Sequence, residues 1–217
     1  MIGAGATHSE IEQSPLVQRY ADVLACACRT VGSLQIRNHA TIGGNIGNAS
    51  PAADTFAALA VLDAQVEIDC LGQLRRERIQ DIIARPYHTT LTDRDILLRI
   101  LIRKLPDGTR CNFYKLGRRH ALAISRMTIA TVLRRDASGV VQDFRMTMGA
   151  TFPQPMMFPE INEMLIGKRP NEEDIAAVAK ALSDKIPEIA GIRASTTYKQ
   201  PVCQRMCARI LHEMLER

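Results

Sequence analysis

The segment with the clearest chemical content is residues 37–54, which read RNHATIGGNIGNASPAAD. Three glycines and three asparagines in this short span allow backbone conformations that most residues cannot adopt. Because Gly43 and Gly44 lack side chains, a bulky anion could approach the main chain there, where successive N–H groups can converge on it. Ser50 and Pro51 then predict the start of a helix, whose first N–H groups would add to the positive field. The pattern is typical of a phosphate-binding turn.

Two standard phosphate motifs are missing from this segment. It contains neither a GxGxxG fingerprint nor a GK[ST] ending, so it is neither a Rossmann turn nor a P-loop. A glycine-rich turn that only connects two helices is the alternative, and composition alone leaves both interpretations open.

The rest of the chain offers few groups for catalysis. No paired carboxylates or activated nucleophile stand out, and His8, His88 and His120 lack the neighbours of a catalytic triad. The six cysteines form no C-x2-C pair, so we expect reduced thiols and no metal or iron–sulfur site.

Composition limits the class of protein. A length of 217 residues suits one large domain or two small ones. The net charge of +5 comes without dense basic clusters, and the 4% of aromatic residues leaves little for base stacking, so nucleic-acid binding is disfavoured. No apolar stretch of membrane-spanning length and no signal-peptide pattern is present, which predicts a cytoplasmic protein.

The elements that must position residues 37–54 can be predicted from periodicity. Thr7 and Glu10 form a capping-box pattern, and Ser14 with Pro15 begins a helix whose apolar face runs through residues 16–27 and closes at Gly32. An apolar helix over 55–62 and alternating strands over 66–70, 74–79 and 96–102 follow.

A Pro-Asp-Gly turn at 106–108 is the best candidate for a domain boundary. Beyond it, strands are predicted over 111–116, 127–133 and 141–148, and helices over 159–165, from Asn171, and from about Ser195. Strands followed by helices favour an α+β fold, with domains at 1–106 and 107–217.

Three blocks of sequence carry a resemblance to a known family. QIRN-x-ATIGGN followed by ASPAAD (residues 35–54), FYKLGRR (113–119) and RAS-x-x-YK (193–199) resemble, in the same order, the flavin subunits of xanthine dehydrogenase, carbon monoxide dehydrogenase and related molybdenum hydroxylases. The resemblance implies the second lobe of a vanillyl-alcohol-oxidase-type (PCMH-type) FAD-binding domain, followed by a domain of antiparallel sheet and helices.

The resemblance also implies roles for particular residues. The loop over 41–45 would hold the FAD pyrophosphate by main-chain N–H groups, and Asn48 would lie near the flavin phosphate. Asp54 would hydrogen-bond the flavin side, Leu97 would line the adenine end, and Lys115 would lie beside the isoalloxazine. The full set of implied cofactor contacts is Thr41, Ile42, Gly43, Gly44, Asn45, Asn48, Asp54, Leu97 and Lys115.

The function implied by the resemblance is that of an oxidoreductase subunit. Noncovalently bound FAD would take electrons from the 2Fe–2S clusters of a small subunit, supplied by a molybdenum-cofactor large subunit, and deliver them to NAD+ or another acceptor in a heterotrimer.

Two departures from the family pattern leave alternatives open. The family's AGG-type loop should precede residues 2–4, which predicts a chain that lacks its N-terminal flavin lobe, and residues 120–123 (HALA) stand where an acid is common. A flavin-free assembly module is therefore one alternative, and an independent flavin enzyme is another.

Overall fold

The computed structural model describes residues 1–119 and 122–216, which fold as the predicted α+β protein. The helices are α1 (His8–Gln13), α2 (Pro15–Tyr20), α3 (Asp22–Arg29), α4 (Leu34–His39), α5 (Ile42–Asn48), α6 (Thr55–Val61), α7 (Ile79–Ile82), α8 (Pro159–Asn162), α9 (Glu172–Ala190) and α10 (Thr196–Leu215). The strands are β1 (Ile2–Gly3), β2 (Gln65–Cys70), β3 (Gln73–Arg78), β4 (Ile83–Arg85), β5 (His88–Thr89), β6 (Asp95–Leu101), β7 (Arg110–Leu116), β8 (Met127–Arg135) and β9 (Val141–Gly149).

The first half is built on an antiparallel sheet with strand order β1-β6-β2-β3. A tight turn joins β2 to β3, where the Gly72 N–H donates to the Asp69 carboxylate at 2.7 Å and Gly72 adopts φ +88°. One face of the sheet packs on the helices through Val66, Ile68 and Ile100, which are fully buried. The strands predicted over 66–70, 74–79 and 96–102 are thereby confirmed.

The helix predicted from Ser14 to Gly32 is instead two helices. The chain bends at Ala21 (φ −155°, ψ 41°), so α2 ends and α3 begins there, with Asp22 in a first turn where a negative charge is favourable. The prediction of one apolar face was wrong for Leu16, which is 70% exposed. Gly32 lies beyond the end of α3, whose C-cap is Thr30. The capping box of α1 is confirmed: the Thr7 side chain accepts from the Glu10 N–H, and Glu10 reaches back to the Thr7 N–H.

The second half places the sheet β7-β8-β9 against α10, and α9 packs on α10. The middle strand β8 is buried on both faces. Ala130 and Val132 join the core of the first half, whereas Ile129 and Leu133 pack with α9 and α10. The two halves therefore share this sheet, while the boundary at residue 106 stays a prediction.

None of the helices in the described ranges combines the length and apolar character needed to cross a membrane.

Candidate functional site

The glycine-rich segment is a helix and not the predicted loop. Residues 42–48 form α5, capped by Thr41, whose Oγ1 accepts the Gly44 N–H at 3.0 Å. Ile42 and Ile46, one turn apart, are fully buried, and their burial offsets the low helix propensity of glycine and asparagine. Tertiary packing thus decides the conformation of a sequence that would favour a turn in isolation.

The first N–H groups of α5 are already bonded within the protein. The Ile42 N–H donates to Ala6 O at 2.9 Å, the Gly43 N–H to Ala4 O at 2.8 Å, and the Asn45 N–H to Thr41 O at 2.9 Å. The Gly44 N–H is bonded to Thr41 Oγ1. These N–H groups therefore bond to the protein itself in this structure, and their contact with the FAD pyrophosphate stays a prediction.

Position 43 requires a residue without a side chain because another backbone segment approaches it closely. A Cβ on Gly43 would lie 2.7 Å from Ala4 O and 2.8 Å from Ala4 Cβ. A Cβ on Gly47, by contrast, would meet nothing within 4 Å. Internal packing therefore requires a glycine at position 43, whereas position 47 faces open space.

The helix predicted to open at Ser50 begins later. Residues 50–53 form a turn, and α6 starts at Thr55 with Asp54 as its N-cap residue. Asp54 makes no capping hydrogen bond. The Asp54 carboxylate instead accepts hydrogen bonds from Thr30, Lys115 and Ser125. Because α6 begins at Thr55, the positive field expected from a helix at Ser50 is not present at Ser50.

Four of the predicted site residues meet in one cleft. Asn45 and Asn48 from α5, Asp54 from the turn before α6, and Lys115 from β7 line a cavity of about 400 Å³. Asn45 is fixed there by the Thr55 hydroxyl, which donates to its side-chain oxygen at 2.5 Å. The sequence segments that supply these residues are brought together only by the packing of β7 against the first half.

Asp54 and Lys115 form a largely buried ion pair at the base of this cleft. Lys115 Nζ lies 2.6 Å from Asp54 Oδ2, and it also donates to Thr30 O at 2.8 Å. The Ser125 hydroxyl donates to the other carboxylate oxygen of Asp54. Burial raises the pKa of the Asp54 carboxyl, and the hydrogen bonds from Lys115, Ser125 and Thr30 oppose that rise. The pair supplies a fixed, nearly neutral polar centre.

Thr30 and Ser125 were missed by sequence reasoning. Neither lies in a recognisable motif, and each reaches Asp54 from a distant part of the chain, so no local signal could have found them.

The rim of the cleft is apolar and its backbone is strained. The exposed side chains of Ile36, Tyr87, Leu122 and Ile124 surround the polar base. Tyr87 and Leu122 have φ of +62° and +54°, values that bulky residues rarely adopt. Such strain concentrates at functional sites, where the surrounding structure maintains it.

Other predicted residues lie apart from this lining. Ile42 is buried in the core, Gly44 is exposed at the start of α5, and Leu97 on β6 packs against the core of the first half. Residues 120 and 121, part of the HALA departure, lie outside the described residues.

A second, basic cleft adjoins the first. It measures about 760 Å³ and shares Gly32, Lys115, Leu122 and Ala123 with the Asp54 cleft. Its remaining charged lining is all cationic: Arg29, Arg37, Arg118 and Arg119. Arg29 and Arg37 both pair with Glu12, so part of this charge is compensated.

Sequence comparison identifies the family. Residues 1–104 match the family model described as the FAD binding domain in molybdopterin dehydrogenase, and residues 112–214 match the CO dehydrogenase flavoprotein C-terminal domain. The nicotinate dehydrogenase FAD-subunit of Eubacterium barkeri is 30% identical over 99% of this chain and 74% of its own length.

The chain belongs to the FAD-binding subunits of the molybdenum hydroxylases. This confirms the family predicted from the three sequence blocks, along with FAD as the family's cofactor and an oxidoreductase subunit as its class. The xanthine dehydrogenase FAD-binding subunit of Escherichia coli O157:H7 is 24% identical over 98% of this chain and 73% of its own length.

Solved structures share the fold. The carbon monoxide dehydrogenase of Hydrogenophaga pseudoflava superimposes with a TM-score of 0.86 at 23% identity, covering 95% of this chain and 71% of that one. Quinoline 2-oxidoreductase from Pseudomonas putida 86 also reaches 0.86, at 22% identity, covering 98% of this chain and 73% of that one.

The Asp54 cleft has the chemical character that a flavin cofactor needs. A flat aromatic ring on a polar chain suits a cavity with a polar base and an apolar rim. The side chains present in the cleft therefore fit the cofactor.

Proposed function

We propose that this flavin subunit holds FAD in the cleft formed by Asn45, Asn48, Asp54 and Lys115, and relays electrons through it. The observation that carries the proposal is the meeting of these four residues in one cavity. They come from separate sequence segments, and the family resemblance had implied a cofactor role for each of them.

The polar base would orient the cofactor. When bound, FAD supplies the chemistry: it accepts electrons and passes them on. Asp54 is held by three donors, so its oxygens have fixed positions, and the asparagine amides can both donate and accept hydrogen bonds. The family resemblance implies that Lys115 lies beside the isoalloxazine. Because it pairs with Asp54, its field in the cleft is that of a dipole, weaker and more directional than a lone charge.

The partners and the acceptor complete the proposal. Electrons would come from 2Fe–2S clusters of a small subunit, fed by a molybdenum-cofactor large subunit, and would leave to NAD+ or another acceptor. The basic cleft beside Lys115 supports an acceptor that carries phosphate groups, since Arg118 and its neighbours would attract such an anion. The cytoplasmic location and the heterotrimer stay predictions.

The experiment changes a side chain of the cleft. Asn48→Leu adds an exposed leucine to the lining and removes the Asn48 amide from it. We expect the complex purified through this chain to lose most of its FAD, measured as flavin absorbance per polypeptide. Ala177→Leu, the same kind of addition on the exposed face of α9, is the control and should retain FAD.

Two results would contradict the proposal. One is an Asn48→Leu complex that keeps its full flavin content. The other is a wild-type complex that is colourless and does not take up added FAD.

A further inference from the structure

A cluster of exposed apolar side chains lies beside the cofactor cleft. Ile124 is 81% exposed, Ile192 is 89% exposed and Tyr198 is 45% exposed. Single exposed apolar residues are ordinary, but a group of them marks an interaction surface. The Arg126 guanidinium lies 5.5 Å from the centre of the Tyr198 ring, so the segment carrying Ile124 meets the beginning of α10.

Three cations accompany these apolar residues. Within the described ranges, no carboxylate lies within 4.0 Å of Arg126, Arg193 or Lys199, although the chain forms ion pairs at many other places. Lys199 donates only to the backbone, to Ala150 O at 3.2 Å. Burial lowers the pKa of Lys199, and the nearby charges of Arg193 and Arg126 lower it further. The three cations therefore repel one another, and an acidic group brought to them would relieve that repulsion.

We propose that this surface seats an acidic polypeptide partner. The surface, named here the α10 face, consists of Ile124, Arg126, Ile192, Arg193, Tyr198 and Lys199. Carboxylates of the partner would meet the cations, and its apolar side chains would cover the two isoleucines. The proposal rests on the proposed function, because the partner would be another subunit of the same electron-transfer complex.

The composition and position of the α10 face favour a protein over other occupants. Protein interfaces are enriched in tyrosine and arginine and combine an apolar centre with a polar rim. Ile124 and its neighbour Leu122 also line the cofactor cleft, so an occupant of this face would close one side of that cleft. Such a position suits a subunit that exchanges electrons with the cofactor.

The first test is footprinting of the intact complex. The tagged full-length chain is purified with its partners from native cells and oxidised with hydroxyl radicals. In the chain alone Ile192 is more exposed than Leu16. In the complex we therefore expect Ile192 to be oxidised less than Leu16, because the partner protects Ile192 and Tyr198 and leaves Leu16 exposed. Oxidation of Ile192 at least as strong as that of Leu16 would overturn the proposal.

The second test uses matched variants. Ile192→Asp and Arg193→Glu should each reduce the amount of co-purifying partner about tenfold, the change expected when a central interface residue costs about 1.4 kcal/mol. Leu16→Asp and Arg94→Glu alter exposed residues elsewhere and should leave the yield unchanged.

The outcomes separate the two proposals. Full partner retention by Ile192→Asp would overturn the α10 face and leave the proposed function standing. A wild-type chain that carries FAD but purifies without any partner would overturn the α10 face alone, and one that is colourless and does not take up FAD would overturn both. Binding to phosphatidylglycerol vesicles that is lost in Ile192→Asp, with no protection of Ile192 in the complex, would replace the polypeptide by an anionic lipid surface.

Discussion

The two glycines Gly43 and Gly47 of α5 offer a direct test of what the glycine-rich segment is for. Both are helical and neither has a positive φ, so alanine at either position gains helix propensity of up to about 1 kcal/mol. The environments differ. A Cβ at Gly43 would lie 2.7 Å from Ala4 O, whereas a Cβ at Gly47 has nothing within 4 Å.

The magnitude follows from these contacts. Ala4 cannot move away at low cost, because its N–H donates to Leu98 O on β6 at 2.9 Å and its carbonyl accepts the Gly43 N–H. Overpacking of this kind costs about 1–3 kcal/mol, and loss of the Gly43 hydrogen bond costs about 1 kcal/mol more. After subtraction of the propensity gain, we expect Gly43→Ala to lower the free energy of unfolding by about 1–3 kcal/mol. Gly47→Ala should raise it by up to about 1 kcal/mol.

Urea unfolding followed by circular dichroism measures the difference. With a slope of about 2 kcal/mol/M, the urea midpoint should fall by about 0.5–1.5 M for Gly43→Ala and rise by up to about 0.5 M for Gly47→Ala. A Gly43→Ala variant as stable as the wild type would refute the reasoning, because it would mean that no backbone contact requires a glycine there.

Two further predictions concern ionised groups. Lys115→Met leaves Asp54 buried without its cation and should lower the free energy of unfolding by about 3 kcal/mol. Adding Asp54→Asn should restore part of that loss, and a double variant less stable than the single one would argue against the pair. The Arg75 guanidinium and the Thr92 N–H lower the pKa of Asp95, so its stabilising effect is present above the unfolded pKa of about 4 and is lost as the pH falls. Asp95→Asn should therefore lose less stability than the wild type between about pH 5 and about pH 2, and parallel pH profiles of stability would contradict this assignment.

The sequence alone determined the local elements and the family. Short-range patterns predict the capping box at Thr7, the helix start at Asn171 and the strands β2, β3, β7, β8 and β9, and the structure has each of them. These features depend on side-chain periodicity and on hydrogen bonds between residues a few positions apart, which a single stretch of sequence contains. The three family blocks are likewise contiguous runs.

Tertiary structure decided how the site is built. The break at Ala21 and the folding of residues 42–48 into a helix depend on packing that no local pattern records. Whether the N–H groups of α5 face a ligand or the backbone near Ala4 depends on where a segment some forty residues earlier lies. Asp54 and Lys115 were predicted as separate contacts, yet they are one ion pair across 61 residues of sequence, because the packing of β7 against the first half brings them together.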